Sequence, residues 1–109
     1  MGFNLIWIIK LFSKNGREQK GIRPGIIISD TKTDLILLIP LTSNLGALKK
    51  FPFTIQIKKS EINRLEKNSV APIFQLLALD KKRLKSKIGR LSDEETHKID
   101  TILKKMLGL

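Results

Sequence analysis

Two short, uninterrupted apolar runs place the strongest constraint on the fold of this chain. Gly25–Ser29 reads GIIIS and Leu35–Ile39 reads LILLI, and the polar stretch Asp30–Asp34 separates them. Apolar runs of this length without alternation are typical of strands that are buried on both faces. The pattern therefore predicts a hairpin inside a sheet. A sheet this small cannot cover both of its own faces, so a helix or a second subunit has to contribute.

The rest of the chain predicts further strands and then one long helix. Alternation of Phe53, Ile55 and Ile57 with polar residues indicates a half-buried strand. The other expected segments, in chain order, are the strand Leu5–Phe12, the loop Ser13–Gly21, the loop Thr42–Pro52, the strand Phe53–Ile57, a short turn capped by Ser60, one or two strands in Ser69–Leu79 interrupted by Pro72, a basic turn at Lys81–Lys87 and a closing strand Ile88–Leu91.

A capped amphipathic helix is predicted for the C-terminal segment. Ser92 and Glu95 have the spacing of a capping box, which satisfies free amides at a helix start. Gly108 is typical of a helix end. The only histidine, His97, falls opposite the apolar stripe and is predicted to be a surface residue without a catalytic role. The stripe consists of Ile99, Ile102, Leu103 and Met106, and the expected ion pairs are Glu94–Lys98 and Asp100–Lys104.

The charge of the chain is strongly basic and unevenly distributed. Of 109 residues, 21 are Lys or Arg and 10 are Asp or Glu, which gives a net charge of +11. Residues 93–109 hold only 3 of the basic side chains and 4 of the acidic ones, so the excess lies in residues 1–92. This charge favours a polyanionic partner, with nucleic acid ahead of a membrane, over a merely lysine-rich composition. The length is that of a single domain, residues 1–109.

The composition excludes several classes of chemistry. The chain has no cysteine and one histidine. A disulfide, a thiolate metal site, a cysteine nucleophile and a histidine pair within one chain are therefore impossible, and we expect neither a metal nor a cofactor. The apolar run Leu5–Ile9 is too short to span a bilayer and lacks the flanks of a signal peptide. A soluble, cytoplasmic protein is the expectation.

Three stretches of the chain carry a recognisable pattern. They are REQKGIRP at Arg17–Pro24, IPLTS at Ile39–Ser43, and SVAPIFQLLALDKKRLKSKIGRLS at Ser69–Ser92. In order and spacing they resemble the MazF/PemK family of toxin endoribonucleases, and the resemblance covers nearly the whole chain. It implies an α+β, mostly β fold: a small, SH3-like twisted barrel of the CcdB/MazF type with a C-terminal helix, assembled as a two-fold homodimer.

The resemblance also implies an activity and partners. The activity is sequence-selective, metal-independent cleavage of single-stranded RNA by attack of the neighbouring 2′-OH, which leaves a 2′,3′-cyclic phosphate and a 5′-OH. The protein partner is a cognate acidic antitoxin, and operator DNA is a further partner of the toxin–antitoxin complex.

The site residues follow from the same resemblance. The resemblance implies that Arg23 and Thr42 are the catalytic pair. The chemistry fits these residue types, since a fixed guanidinium and a hydroxyl donor can stabilise the negative charge that gathers on a phosphorane. A guanidinium is a poor proton acceptor at neutral pH, so the general base stays open, with Glu18 as the candidate. Phe53 suits base stacking and a plain core position equally well. The positions that match the RNA groove are Glu18, Gln19, Ser43, Phe53 and Gln75.

The chain departs from the family pattern around Gln75. Phe74 stands where an acidic residue is usual, Leu77 where a basic one is usual, and Pro72 where some relatives have arginine. These departures keep open a second reading, a non-catalytic basic module that binds nucleic acid. A third reading, a CcdB-like toxin that binds gyrase, relies on a C-terminal Trp-Gly-Ile that Met106–Leu109 does not supply.

Overall fold

The computed structural model describes residues 4–11, 21–48 and 50–109, which form strands first and one long helix last. Two short 3₁₀ turns, Ile73–Gln75 and Lys81–Arg83, flank the sixth strand. The elements in chain order are β1 (Leu5–Lys10), β2 (Ile22–Asp30), β3 (Leu35–Pro40), α1 (Leu45–Leu48), β4 (Thr54–Ile57), β5 (Ser69–Pro72), β6 (Leu77–Asp80), β7 (Leu84–Arg90) and α2 (Asp93–Leu107).

The predicted central hairpin is confirmed. β2 and β3 are antiparallel and lie inside a five-stranded sheet whose order is β6-β3-β2-β1-β7. Neighbouring residues of β2 point to opposite faces: Ile26 belongs to one buried apolar cluster and Ile27 to the other. The continuous isoleucine run therefore fills both faces of the sheet, which is what an apolar strand without alternation requires.

The helix α2 covers one of these faces. Ile99 is buried in the cluster that includes Ile26, and the rest of the predicted stripe packs against it. Ser92 and Glu95 form the expected capping box, and Gly108 ends the helix in the left-handed conformation. Both predicted ion pairs are present and His97 is exposed. Within the described ranges, no helix is long and apolar enough to cross a membrane.

The expected SH3-like twisted barrel is not closed. β6 and β7 are the edges of an open five-stranded sheet, and β4 and β5 make a separate two-stranded sheet. The two sheets are joined by an isolated bridge at which Thr42 pairs with Val70. β3 ends at Pro40, which has no N–H with which to continue a ladder. Beyond Pro40 the chain also pairs with β5, through Thr42.

Two segments differ from the sequence prediction in type. The expected loop Thr42–Pro52 contains the one-turn helix α1. The expected basic turn Lys81–Lys87 is a turn only as far as Arg83, where β7 begins. Leu84 pairs with Ile9 of β1 and packs on its cluster, so cross-strand packing outweighs the charge of this run. The predicted end of the first strand, Phe12, lies outside the described residues.

An ion pair ties the central hairpin to the turn before β7. Lys81 Nζ donates a hydrogen bond to Asp30 Oδ1 at 2.8 Å, and the N–H of Lys81 donates to the carbonyl of Asp34 at 2.8 Å. The bond from Lys81, followed by one from the N–H of Lys32, lowers the pKa of Asp30 below its ordinary value of 3.8. Lys81 is therefore engaged within the protein and is a poor candidate for a phosphate ligand.

We expect Asp30→Asn to lower the free energy of unfolding at neutral pH but not in strong acid. The folded pKa of Asp30 is depressed, so its stabilisation is present above pH 3.8 and is lost as the pH falls through the lower folded value. Urea unfolding should separate the variant from the parent at about pH 7 and bring them together at about pH 2. The matched control is Asp34→Asn, an exposed carboxylate of the same turn with no ion pair among the described residues. A constant difference between Asp30→Asn and the parent at both pH values would contradict the assignment.

Candidate active site

The register of the central hairpin brings Arg23 and Thr42 together. At the last paired position of β2 and β3, Gly25 lies opposite Pro40. Continued by two residues, this register sets Arg23 opposite Thr42 on the same face of the strand pair. The two predicted catalytic residues, 19 positions apart in the chain, both line one cleft at this end of the hairpin.

Pro24 shapes this end of the ladder. The N–H of Leu41 donates to the carbonyl of Pro24 at 2.8 Å, and Pro24 has no N–H to return a second bond. Pro24 and Leu41 therefore occupy a hydrogen-bonded position of the ladder. The next pair, Arg23 and Thr42, occupies a non-hydrogen-bonded position, in which facing side chains approach more closely and Cα atoms are about 4.5 Å apart.

Thr42 is held from its other side by the second sheet. Its N–H donates to the carbonyl of Val70 at 3.1 Å, and its carbonyl accepts from the N–H of Val70 at 2.8 Å. The hydroxyl of Thr42 accepts a hydrogen bond from the N–H of Asn44 at 3.1 Å. Because the hydroxyl acts as an acceptor in that contact, its own proton stays available to an anion in front of it.

A loop formed by residues 58–68 supplies a second wall of the site. Asn63 is fully buried at the centre of this loop. Its Oδ1 accepts from the N–H groups of Ser60 at 2.9 Å and Leu65 at 3.0 Å, and its Nδ2 donates to the carbonyl of Lys58 at 2.8 Å. Ser60 caps the turn, as the sequence predicts, by accepting from the N–H of Asn63 at 3.2 Å.

The 58–68 loop rests directly on β7. A Cβ atom at Gly89 would lie 2.5 Å from the carbonyl oxygen of Ile62 and 2.6 Å from that of Asn63. The N–H of Arg90 donates to the carbonyl of Ile62 at 3.0 Å. A residue without a side chain at position 89 therefore lets the two backbones touch, and this contact fixes the height of the loop above the sheet.

The hairpin end and the 58–68 loop border an open cleft of about 580 Å³. Three cations, Arg23, Arg64 and Lys67, and one carboxylate, Glu66, line it. None of the four forms an ion pair with another described residue. Among the described residues the cleft is therefore net positive and its cations have no counterion, which suits a phosphate backbone. The apolar part of its lining consists of Ile8, Ile22, Pro24, Leu41, Leu65 and Ile88.

The predicted site residues fall into three groups. Phe53 and Gln75 lie near each other beside the second sheet but do not line the cleft. The carbonyl of Phe53 accepts from the N–H of Ile73 at 2.9 Å, and Gln75 is exposed at the end of the same 3₁₀ turn. Glu18 and Gln19 lie outside the described residues. The three predicted residues that line the cleft are Arg23, Thr42 and Ser43.

The contribution of the 58–68 loop was not predicted from the sequence. Arg64, Glu66 and Lys67 belong to no motif, and their charges have the pattern of an ordinary solvated loop. Only the alternation of the buried Asn63 and Leu65 with exposed charged residues marks the segment as ordered. The sequence alone does not reveal this pattern, because an asparagine is usually exposed and only the folded structure shows that Asn63 is buried.

Phe74, which departs from the family pattern, lies beside a second aromatic ring. The rings of Phe74 and Phe51 lie 5.6 Å apart at an angle of 48°, and both side chains are exposed. Where the family usually has an acidic residue next to Gln75, this chain presents two ring faces. Rings of this kind can stack on nucleic-acid bases whatever their sequence.

The described residues supply groups that can stabilise charge on a phosphate. In residues 4–11, 21–48 and 50–109, no three His, Asp or Glu side chains come together as metal ligands would. A guanidinium and a hydroxyl that face each other can bind the oxygens of one phosphate and stabilise added negative charge on it. The arrangement thus suits phosphoryl transfer to an internal nucleophile.

The chain is similar to known toxins over nearly its whole length. A family described as the PemK-like, MazF-like toxin of type II toxin–antitoxin systems matches residues 4–107. The protein named Endoribonuclease MazF from Staphylococcus saprophyticus is 33% identical over 108 residues, which are 95% of this chain and 88% of that protein.

Solved structures share the fold at lower identity. The Mycobacterium tuberculosis toxin MazF-mt6 has a TM-score of 0.74 and 16% identity, over 96% of this chain and 97% of that one. A mycobacterial endoribonuclease in complex with its cognate antitoxin has a TM-score of 0.67 and 20% identity, over 97% of this chain and 91% of that one. The open sheet with its C-terminal helix is therefore a fold that these toxins have in common.

We expect Asn63→Ala to destabilise the protein by roughly 2–4 kcal/mol, because it removes a fully buried side chain and leaves the N–H groups of Ser60 and of the buried Leu65 without an acceptor. The matched control is Asn68→Ala. Asn68 is exposed and accepts one hydrogen bond, from the N–H of Lys59 at 3.0 Å, so its loss should cost less than about 1 kcal/mol. Urea unfolding measures both values. Equal losses for the two variants would contradict the central role of Asn63.

Proposed function

Since this chain belongs to the PemK-like, MazF-like family of toxins of type II toxin–antitoxin systems, we propose that it is a sequence-selective endoribonuclease that cuts single-stranded RNA. The observation that carries the proposal is that Arg23 and Thr42 line one cleft together with Arg64 and Lys67, cations that form no ion pair with another described residue. In this proposal the enzyme acts in the cytoplasm, where messenger RNA is available.

The proposed reaction uses the RNA's own nucleophile. The 2′-OH attacks the adjacent phosphorus, a bond from the 2′-oxygen to phosphorus forms, and the bond from phosphorus to the 5′-oxygen breaks. The products are a 2′,3′-cyclic phosphate and a 5′-OH. Arg23 stabilises the charge of the phosphorane and supplies a proton to the leaving oxygen, and Thr42 donates a hydrogen bond to a phosphate oxygen.

The proton of the 2′-OH needs an acceptor. Glu18 is our candidate for the general base, since it precedes Arg23 in the same motif. The carboxylate that the described residues bring to the cleft is Glu66, on the opposite wall. Comparison of Glu18→Gln with Glu66→Gln in a pH–rate profile separates the two, because only the loss of the base removes the acid limb of the profile.

RNA contacts extend beyond the catalytic pair in this proposal. Ser43 lies next to Thr42 in the cleft, and Gln19 precedes the catalytic arginine. Phe53 and Gln75 lie beside the second sheet, where Phe51 and Phe74 add exposed rings; that surface takes a nucleotide further along the strand. The replacement of an acidic residue by Phe74 predicts a sequence preference that differs from that of relatives with the usual residue.

A homodimer and an acidic antitoxin complete the proposed assembly. The face of the sheet away from α2 holds a second apolar cluster, Ile9, Ile27, Ile36 and Leu38, with partly exposed apolar neighbours, and this supports a second copy as its cover. The positive cleft supports a disordered, acidic segment of the antitoxin as a competitor of RNA. Operator DNA is bound by the toxin–antitoxin complex and not by the toxin alone.

The non-catalytic alternative is a basic module that binds RNA without cutting it. The departures at Phe74 and Leu77 are its only support, and both leave Arg23 and Thr42 in place. Family membership and the retained pair favour the enzyme.

We expect cleavage to require the 2′-OH and Arg23. A random RNA pool with sequencing of the cut ends first identifies a cut site. A single 2′-deoxy substitution on the 5′ side of that site should then abolish single-turnover cleavage and leave most of the binding, since the phosphate charges are unchanged. Arg23→Ala should lose far more rate than affinity, and Thr42→Ala should lose less rate than Arg23→Ala, because a neutral donor is the weaker stabiliser.

The controls for this experiment lie outside the cleft. Arg90→Ala and Thr101→Ala remove exposed side chains of the same types and should keep the parent rate. Excess EDTA should leave the rate unchanged, and a loss that magnesium restores would rule out the metal-independent route. A deoxy substrate that is cut at the parent rate would require a water nucleophile and would overturn the roles given to Arg23 and Thr42.

We expect the purified chain to be a dimer at micromolar concentration and to be inhibited by the acidic product of a neighbouring gene. Light scattering measures the first, and cleavage with increasing amounts of the partner measures the second. Inhibition should weaken as salt is raised, because the interaction is between a positive cleft and an acidic chain. A stable monomer would remove the dimer from the proposal, and salt-independent inhibition would remove the electrostatic competition.

A further inference from the structure

Arg64 adopts a backbone conformation that disfavours any residue with a side chain. Its φ is 54°, in the left-handed region, where glycine is at ease and a longer residue is strained. The turn itself does not need the arginine side chain. The N–H of Arg64 donates to the carbonyl of Ser60 at 3.0 Å, and the buried neighbours Asn63 and Leu65 hold the segment on both sides.

The side chain of Arg64 has no ion pair among the described residues that offsets this strain. It is exposed, it lines the same cleft as Arg23, and it forms no ion pair within the described part of the chain. Lys67, on the same wall, is also exposed, lines the cleft and forms no ion pair with another described residue. An exposed arginine that lines a cleft, has a left-handed backbone and forms no ion pair with another described residue suits an anionic ligand.

The position of Arg64 sets which part of that ligand it meets. Arg23 and Thr42 occupy one wall of the cleft, and the 58–68 loop that carries Arg64 lies on β7 through Gly89. In the sheet, β1 separates β2 from β7, so the two walls stand roughly 10 Å apart at the backbone. Across such a width, neighbouring phosphates of an extended strand can lie one against each wall, so each wall can hold its own phosphate.

We propose that Arg64 holds the phosphate adjacent to the scissile one, so that an RNA strand crosses the cleft from Arg23 and Thr42 to the 58–68 loop. This inference rests on the proposed function for the identity of the strand as RNA. Arg64 acts as a positioning residue: it sets where the strand lies and how tightly it is held, and it does not touch the reacting phosphorus. Lys67 adds positive charge to the same wall.

The structure offers a closely matched control for Arg64. Lys32 is also an exposed cation with a left-handed backbone, at φ 63°, and it lies in the β2–β3 turn outside the cleft. Arg64→Gly and Lys32→Gly therefore each remove one positive charge and each relieve the same kind of backbone strain. Only the first removes a charge from the cleft. Arg64→Lys keeps the charge and tests whether a cation is enough.

The experiment measures binding and cleavage separately. Binding uses an RNA made uncleavable by the single 2′-deoxy substitution and is followed as a function of salt. Arg64→Gly should bind about tenfold more weakly, the lower end of what a charged hydrogen bond contributes. Its salt slope should fall by about 0.7, the value for one phosphate contact on a single strand. The single-turnover rate at saturating RNA should stay within about twofold of the parent. Arg64→Lys should keep the slope, and Lys32→Gly should match the parent throughout.

Several results would overturn the assignment. Unchanged affinity and salt slope for Arg64→Gly would mean that Arg64 does not contact RNA, and a loss confined to antitoxin binding would assign the residue to the protein partner. A loss of saturating rate as large as that of Arg23→Ala would place Arg64 on the reacting phosphate. The melting temperature of Arg64→Gly should equal or exceed that of the parent, and a fall would show a structural role. If the parent cuts no RNA and Arg64→Gly still binds RNA more weakly than the parent, the proposed function is refuted and this inference stands.

Discussion

The pair of hydrogen bonds between Thr42 and Val70 is the constraint on which the site depends. At 3.1 and 2.8 Å they join the five-stranded sheet to the two-stranded one. Thr42 is thereby fixed from two directions, by Val70 on one side and, on the other, by the bond from the N–H of the preceding Leu41 to the carbonyl of Pro24. A donor fixed in this way needs little reorganisation when charge develops in front of it, which is the basis of electrostatic catalysis.

A second constraint, the contact between Gly89 and the 58–68 loop, gives the cleft its other wall. The loop has no regular secondary structure, so its shape comes from one buried amide, that of Asn63, and from the close approach of two backbones. These contacts carry exposed cations on a rigid support. Function-bearing loops on a firm scaffold are a common solution, because the scaffold absorbs the cost of ordering them.

The basic side chains of this protein have different roles. Lys81 is paired with Asp30 and helps to hold the hairpin, Lys98 and Lys104 are paired along α2, and the cations of the cleft have no such partners. The net charge therefore indicates a polyanionic partner. The positions of the cations that form no ion pair with a described residue indicate where that partner would bind. The exposed rings of Phe51 and Phe74 add a surface that discriminates by stacking and not by charge.

Local sequence was sufficient for everything that depends on near neighbours. The apolar runs around Ile27 and Leu37, the capping box at Ser92 and the stop at Gly108 each carry their own physical signal, and the structure has the hairpin and the helix that they predict. The family resemblance of the motifs around Arg23 and Thr42 pointed to a catalytic pair, but nothing in the spacing of two residues shows that a shared register sets them face to face.

What only the tertiary structure decided involves partners that are distant in the chain. The five-stranded sheet is open because its edge strands, β6 and β7, do not pair with each other, and Thr42 beyond β3 pairs with β5 of the second sheet. Leu84–Arg90 is a strand and not a basic turn because β1 offers it an edge and an apolar cluster. Arg64 reaches the cleft because Gly89, 25 positions away, admits the backbone that carries it. None of these outcomes has a local signal, since each follows from the packing of segments that meet only when the chain has folded.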